Sequence, residues 1–230
     1  MENQGSIGDT IDVSYLENAC DVVYTGNTQN PSFQQFHDTL MEFQDRDDAW
    51  IYADKLIDNC KSQYARFFGV QILHSLVKYK WKMLEPDQRQ PVKDFICQHT
   101  INWAQDPNVT HYILSEIDKV LVEIIVLEWP QEWPSIVDDL IASATSEPGT
   151  CQNNLKIISM LSQQVFDFGT QEMTSTRISQ VSAALNEAAP QVFNLVENVL
   201  SGTEDPKVIS TALEAFRYIV KWLDPHYIFE

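Results

Sequence analysis

The sequence predicts an all-α fold with no β-sheet. Only seven glycines occur in 230 residues, and there is no Asn-Gly or Asp-Gly pair of the kind that closes a β-hairpin. Apolar residues instead recur at helical spacing along most of the chain. Helix-start signals return about every forty residues, a period typical of stacked helix pairs. Together these observations indicate an α-solenoid of about five HEAT-type helical hairpins, forming a right-handed superhelical segment.

The repeat boundaries follow from the helix-start signals, which fall near residues 10, 48, 86, 134 and 174. Acidic residues or prolines at these points suit the first turn of a helix. We therefore predict a flexible N-terminal tail over 1–9 and a HEAT-repeat segment over 10–230. Its repeats are expected near 10–47, 48–85, 86–133, 134–173 and 174–230, each with a second helix more buried than the first.

The second helix of the second repeat, residues 62–83, is apolar along two stripes and must be covered on two sides. One stripe consists of Phe68, Ile72, Leu76, Tyr79 and Met83, and the other of Val70, Leu73, Val77 and Trp81. Buried helices are also predicted over 110–128, 152–168 and 206–223, with Leu213 among the buried residues of the last. Amphipathic helices are predicted over 48–60, 88–105 and 135–145, and a long helix over 174–201, kinked or broken at Pro190.

Two tryptophan-proline pairs follow the third buried helix. Pro130 is expected to end that helix near Glu128, because the residue before a proline disfavours helical geometry. Pro134 suits the first position of the next helix, where its missing N–H costs nothing. We predict a rigid structural corner between the third and fourth repeats, in which each indole N–H reaches a carbonyl of the turn. Its four residues are Trp129, Pro130, Trp133 and Pro134.

Charge is distributed unevenly along the chain. The formal net charge is −18, which argues against nucleic acid or an anionic membrane surface as a partner. Residues 61–93 nevertheless carry seven basic and two acidic side chains, which makes them a basic island in an acidic chain.

Several kinds of functional site have no signal in the sequence. The four cysteines include no CxxC pair, so we expect no metal site and read them as reduced buried thiols of an intracellular protein. The phosphate-loop, dinucleotide, serine-nucleophile and zinc-protease motifs are all missing, so we predict no catalytic residues, no cofactor and no enzymatic activity. The first residues lack the basic and apolar regions of a signal peptide, and no apolar run approaches the roughly 18 residues of a membrane span.

The tryptophan-proline corner carries a family resemblance. "EWPQEWP" after a buried helix resembles the Glu-Trp-Pro-x-x-Trp-Pro corner of the nuclear exportins of the importin-β (karyopherin) superfamily. "FFGVQILHSLVKYKWKML" resembles the inner helix of their second HEAT repeat. "CQNNLKIISMLSQQVFDF" followed by "QEMT", together with "WLDPHYIFE", narrows the resemblance to the branch that carries leucine-rich export signals. The similarity runs from about residue 12 to 230. In the first repeat and over 174–200 only pattern and length agree.

The resemblance implies a nuclear transport receptor, not an enzyme. Such a receptor binds cargo together with the GTP form of the small GTPase Ran and passes the pore by contacting nucleoporins with phenylalanine-glycine repeats. It shuttles between nucleus and cytoplasm and is found at pores of the nuclear envelope. The N-terminal repeats take Ran on the concave side, formed by the second helix of each pair. The cargo groove belongs to later repeats outside this chain.

The basic island lies on the second helix of the second repeat, the element that the resemblance assigns to Ran. A polar stripe is left there once the two apolar stripes are buried. We extend the candidate surface to the second helices of the first and third repeats. Its residues are Gln34, His37, Gln71, His74, Ser75, Lys78, Lys82, Glu116 and Lys119.

Two alternatives remain open from the sequence. The lysines of the basic island also suit a solvated face that keeps a solenoid soluble. The whole chain also suits a HEAT-repeat scaffold that organises a multiprotein complex and has no GTPase partner.

Overall fold

The computed structural model describes residues 12–145, 148–168 and 173–220. The predicted tail over 1–9 and the "WLDPHYIFE" stretch lie outside these residues. The described part of the chain is helical and contains no β-strand, which confirms the all-α prediction. Its contacts divide it into two compact units, one formed by residues up to 89 with 108–117, and the other by 90–107 with the residues from 118 onwards.

The first unit contains four complete helices. They are α1 (Val13–Tyr24), α2 (Phe33–Asp45), α3 (Ala53–Asp58) and α4 (Gln63–Ser75). A 3₁₀ turn, Ala49–Tyr52, precedes α3, and α4 continues through a π turn, Leu76–Lys80, into a 3₁₀ turn, Trp81–Met83. α1 packs against α2 and α4, and α3 packs against α4.

Polar side chains define where these helices begin. Asp12 caps α1 by accepting hydrogen bonds from the backbone N–H of Ser14 and Tyr15, and Ser62 caps α4 in the same manner. The carboxylate of Glu17 on α1 also accepts from the N–H of Lys61 and Ser62, each at 2.7 Å. The start of α4 is thereby tied to α1 by groups that would otherwise lack partners.

Two helices have residues in both units, α5 (Pro86–Gln105) and α6 (His111–Glu128). The described helices that follow belong to the second unit: α7 (Ile136–Ser143), α8 (Pro148–Gln163) with a π turn Gln164–Phe168, α9 (Ser175–Gly202) and α10 (Pro206–Val220). In the second unit α8 packs against α7 and α10, and α9 packs against α10. A shared core is formed by side chains of α8, α9 and α10, including Leu155, Val192 and Ala212.

Three expectations about these helices were wrong. Tyr79 and Met83 are 70% and 80% exposed instead of buried. The π turn at 76–80 takes more residues per turn than an α-helix, so the residue buried after Val77 is Trp81 and the side chain of Tyr79 points away from the core. Leu213 is 51% exposed because the buried stripe of α10 runs through Val208, Ala212, Ala215 and Ile219.

Of the kink or break predicted at Pro190, the break is absent. α9 is continuous from Ser175 to Gly202 with the proline inside it. A proline in a helix removes one backbone hydrogen bond. Ala189 and Val192, on either side of it, are buried in the core shared with α8 and α10, and this packing holds the helix together around the missing bond.

The predicted helices otherwise fall where expected. α6 begins one residue after the predicted start and ends at Glu128. Six of its apolar side chains are at most 1% exposed: Ile113, Ile117, Val120, Leu121, Ile124 and Ile125. Gly69 on α4 allows a close approach, because a Cβ there would lie 2.8 Å from Cγ1 of Ile57 on α3. The division of the chain into five repeats stays a prediction.

Candidate partner-binding site

The residues predicted for the partner surface lie on several helices. Gln34 and His37 are exposed on α2. Gln71, His74 and Ser75 are half-buried on α4. Lys78 is exposed in the π turn, Lys82 is exposed in the following 3₁₀ turn, and Glu116 is half-buried on α6. Lys119 is exposed and belongs to the second unit, whereas the other eight belong to the first.

The α4 stripe is joined to neighbouring helices by three polar contacts. Nδ1 of His74 lies 3.2 Å from Oε1 of Glu116, so the two predicted residues meet as a pair. The amide of Gln44 on α2 donates to the hydroxyl of Ser75 at 3.0 Å. The hydroxyl of Tyr24 on α1 donates to Oε1 of Gln71 at 2.9 Å. These side chains therefore form a cross-linked polar layer whose geometry is fixed before any partner arrives.

Two residues of this layer were not anticipated from the sequence. Burial raises the pKa of Tyr24, with a smaller contribution from Cys20, so the phenol stays protonated and donates to Gln71. Gln44 could have been found, because it continues the helical spacing that begins at Gln34 and His37 and passes through Met41. No comparable signal marks Tyr24, which was hidden among the apolar residues of α1.

Gln34 and His37 are organised separately from the α4 stripe. The amide of Gln34 donates to Oδ1 of Asp38 at 2.8 Å, and Nδ1 of His37 lies 3.4 Å from the same oxygen. Within the described residues, neither forms a hydrogen bond to a residue outside α2. Six of the predicted residues therefore lie close to the end of α4. Among the described residues, no hydrogen bond links them to Gln34 or His37 at the start of α2.

Carboxylates of the first unit neutralise Lys80 of the basic island and Arg46 before it. Nζ of Lys80 lies 2.7 Å from Oδ1 of Asp47. Two bonds of 2.8 Å join the guanidinium of Arg46 to Asp48, and these bonds lower the pKa of that carboxyl. Over residues 12–145, 148–168 and 173–220, neither Lys78 nor Lys82 has a carboxylate within ion-pair distance. Lys78 and Lys82 thus carry exposed positive charge near the end of α4.

The tryptophan-proline corner is held by ion pairs and carbonyl contacts within the second unit. Nζ of Lys93 lies 2.7 Å from Oε2 of Glu128, both nearly fully buried, and 4.8 Å from the centre of the Trp133 ring. From α9, Nε of Arg177 donates to the carbonyl of Val126 at 2.7 Å and Nη2 donates to the carbonyl of Trp129. The corner therefore ties α5, α6 and α9 together.

Two details of the predicted corner were wrong. Within the described residues, neither indole N–H of Trp129 and Trp133 bonds to a carbonyl of the turn, and Arg177 occupies the carbonyl of Trp129 instead. α7 begins at Ile136 after Ser135, so Pro134 lies in the turn before the helix and not at its first position. Pro130 follows a cis peptide bond with Trp129. The end of α6 at Glu128 agrees with the expectation for Pro130.

The cysteines show no sign of a reactive site. Burial raises the pKa of Cys60 to about 11 and that of Cys97 to about 12, so both thiols stay protonated at neutral pH. In the described part of the chain no three histidine, cysteine or acidic side chains form a group that could hold a metal ion. None of the helices in these same residues is long and apolar enough to span a membrane.

The sequence of the chain matches two known protein families. The family described as "Exportin 1-like protein" matches residues 110–230, just over half of the chain. The family described as "Importin-beta N-terminal domain" matches residues 37–102, which include Lys78 and Lys82.

Individual relatives cover nearly all of the chain. Exportin-1 of Dictyostelium discoideum is 26% identical over the whole chain, which corresponds to 22% of that relative. Exportin-1 of Drosophila melanogaster is 27% identical over 96% of the chain and 21% of the relative. Protein EXPORTIN 1B of Arabidopsis thaliana is 28% identical over the whole chain and 22% of the relative. The chain thus spans about a fifth of the length of these curated relatives.

The family matches confirm the resemblance to nuclear exportins and the HEAT-type solenoid class that the sequence predicted. The relatives are named as exportins, which are transport receptors and not enzymes. This chain belongs to the exportin 1-like protein family.

Proposed function

We propose that this chain is the Ran·GTP-binding part of a nuclear export receptor. The observation that carries the proposal is the position of the exposed lysine pair, Lys78 and Lys82, inside the stretch that matches the importin-β N-terminal domain. In a chain of net charge −18, this local positive surface is complementary to an acidic patch on a partner. The candidate contacts remain those predicted from the sequence.

Further partners of the receptor follow from the family alone. We propose that nucleoporins with phenylalanine-glycine repeats contact the receptor and that proteins with leucine-rich export signals bind repeats outside this chain. Shuttling between nucleus and cytoplasm, with passage through nuclear pores, belongs to the same proposal. A nucleic acid or membrane partner is not proposed, because the net charge opposes both. Membership of an exportin family does not favour a scaffold without a GTPase partner.

The electrostatic part of the proposal is tested by association kinetics. Charges at the rim of an interface chiefly change the association rate. Lys78→Glu with Lys82→Glu should therefore slow the association of Ran·GTP several-fold, and the difference should shrink as salt screens the charges. The matched control is Lys55→Glu with Lys61→Glu, two exposed lysines of the same unit with the same change in net charge.

The nucleotide dependence needs a separate comparison. Ran·GDP should bind much more weakly than Ran·GTP, because a transport receptor has to distinguish the two states. Binding is measured with this chain and with a longer chain that includes the following repeats. Equal association rates for the two double variants would show that Lys78 and Lys82 do not contribute to the interface. Equal binding of Ran·GTP and Ran·GDP would contradict the proposed transport function.

A further inference from the structure

The polar layer at the end of α4 fixes which atom of Gln71 faces outward. The phenol of Tyr24 on α1 donates to Oε1 of Gln71 at 2.9 Å. An amide carries its acceptor and its two donor hydrogens on different atoms, so holding Oε1 directs Nε2 elsewhere. Within the described residues Nε2 of Gln71 forms no hydrogen bond, and it is not one of the buried polar atoms without a partner. It therefore reaches the surface with two hydrogens to donate.

The opposite orientation of the amide is disfavoured by the environment of Tyr24. If Nε2 donated to the phenol oxygen, the phenol hydrogen would need another acceptor, and this hydroxyl has no second partner among the described side chains. Burial raises the pKa of Tyr24, so the phenol keeps its hydrogen at neutral pH. An unpaired donor in a partly buried site costs free energy. The bond to Oε1 avoids this cost and leaves only the solvated amide hydrogens of Gln71 without a protein partner.

The hydroxyl of Tyr24 is held in place by the packing of its ring. The ring stacks on Tyr64 with centroids 6.2 Å apart and an interplanar angle of 3°. It also meets Phe67 at 5.7 Å and 90°. Both neighbours belong to α4, so contacts between α1 and α4 set the position of the oxygen that bonds to Gln71. Removing the hydroxyl alone leaves these aromatic contacts in place.

A second pair with the same polarity lies one turn further along α4. Nε2 of Gln44 on α2 donates to Oγ of Ser75 at 3.0 Å. The hydroxyl hydrogen of Ser75 remains available, because no described group accepts it. Gln71 and Ser75 are four residues apart on a helix, so they share one face with Cβ atoms about 5–6 Å apart. Oε1 of Gln44 is an acceptor on α2, so the donor polarity belongs to the α4 stripe and not to the whole layer.

We propose that Tyr24 and Gln44 are positioning residues of the proposed Ran·GTP surface, and that they hold Gln71 and Ser75 with hydrogen-bond donors facing the partner. The partner groups opposite the α4 stripe are then acceptor oxygens, from carboxylates or backbone carbonyls, about 5–6 Å apart. Tyr24 acts through Gln71, and Gln44 acts through Ser75. This inference rests on the proposed binding of Ran·GTP and deepens it, because it specifies the hydrogen-bond polarity that the partner must have.

The polarity is tested by comparing two substitutions of Gln71. Gln71→Ala removes the outward donor and should raise the Kd for Ran·GTP about fivefold, as expected for the loss of one hydrogen bond. Gln71→Glu keeps an acceptor for Tyr24 but turns a carboxylate oxygen toward the partner's acceptor. It should therefore raise Kd more than Gln71→Ala does, by about tenfold or more. A partner that presents a donor would instead bind Gln71→Glu more tightly than Gln71→Ala.

The charge of the new carboxylate needs a matched control. Gln35→Glu makes the same change in net charge on the same unit, at an exposed position. Helical spacing places Gln35 on the opposite side of α2 from Gln34 and His37. This variant should leave Kd unchanged within about twofold, the variation usual for surface substitutions.

The positioning roles are tested by double-variant cycles. Tyr24→Phe should weaken Ran·GTP several-fold in the parent chain and should have no further effect in a chain that carries Gln71→Ala. Gln44→Met should behave in the same way towards Ser75→Ala. A purely structural role would weaken binding by the same factor in both backgrounds. Additive effects of Tyr24→Phe and Gln71→Ala would therefore overturn the positioning role of Tyr24.

A measurement on the free chain needs no GTPase. In NMR spectra the hydroxyl hydrogen of Tyr24 should exchange slowly with water in the parent and rapidly in Gln71→Ala. Rapid exchange in the parent would overturn the proposed bond. Binding is measured with this chain and with the longer chain that includes the following repeats. If neither parent binds Ran·GTP, the proposed function fails and this inference fails with it. If a parent binds but Gln71→Glu binds at least as tightly as Gln71→Ala, this inference alone is overturned.

Discussion

Removing the guanidinium of Arg177 should destabilise the second unit by about 2–3 kcal/mol. Two of its hydrogen bonds go to partly buried backbone carbonyls, those of Val126 and Trp129. A hydrogen bond to a charged group contributes about 1.5–3 kcal/mol net. Two bonds at the low end of that range give about 3 kcal/mol, and water entering the site returns part of it. The third bond, at 2.7 Å to Gln131, is exposed and adds little.

The location of Arg177 explains why the effect should be large for one side chain. Its guanidinium lies at the C-terminal end of α6, where carbonyls without helical partners carry partial negative charge. Burial lowers the pKa of Arg177, against a smaller opposite effect of Glu132, which shows that the group is partly removed from water. Electrostatic interactions weaken less in such a setting than at an open surface.

The measurement is urea unfolding of the Arg177→Met variant, followed by circular dichroism. Lys207→Met is the matched control, because this exposed lysine belongs to the same unit and its loss changes the net charge equally. Hydrogen exchange gives a local readout, since the N–H of Glu132 bonds to the carbonyl of Glu128 at 2.8 Å in the same corner and should lose protection. If Arg177→Met and Lys207→Met differ by less than about 0.5 kcal/mol, the variation usual for surface substitutions, the corner does not depend on this arginine.

Three further predictions concern packing, charge and thiol chemistry. Gly69→Ala should destabilise the first unit by about 1 kcal/mol in urea unfolding, because a clash with α3 that costs about 1–3 kcal/mol outweighs the gain in helix propensity. Gly202→Ala, with nothing within 4 Å, should not destabilise. Lys93→Met should cost about 3–5 kcal/mol by removing the ammonium group that pairs with the buried carboxylate of Glu128, and Lys93→Met with Glu128→Leu should recover most of it. Alkylation of Cys97 in the folded chain should keep accelerating above pH 9, because burial raises the pKa of its thiol to about 12.

Each of these expectations has a contradicting result. A Gly69→Ala chain as stable as the parent would mean that α3 shifts away at no cost. A double variant as unstable as Lys93→Met would mean that the loss comes from the packing of the Lys93 side chain and not from the Lys93–Glu128 ion pair. The pKa of Cys97 is higher in the folded chain than in the unfolded chain, so the thiol contributes to stability only while it is protonated. Its thiol stabilises the fold below about pH 9 and loses this effect as pH rises towards 12. Mass spectrometry showing an alkylation rate that levels off near pH 9 would contradict the burial of this thiol.

The candidate site was only partly predictable from its sequence. Lys78 and Lys82 were expected at the surface, and they are exposed. The sequence could not show that Gln71, His74 and Ser75 are engaged by Tyr24, Glu116 and Gln44, because these partners lie 31 to 47 residues away along the chain. The exposure of Tyr79 was likewise hidden, because its helical spacing assigned this residue to the core.

The sequence by itself determined the class of fold and most helix positions. Apolar spacing such as that of α6 admits only a helix covered on several sides, and prolines and caps restrict where helices begin and end. The tertiary structure decided which residue of a stripe is buried, as at Tyr79 and Leu213, and whether α9 continues through Pro190. These outcomes depend on a single π turn and on packing against neighbouring helices. Periodicity along one helix does not encode the register of another.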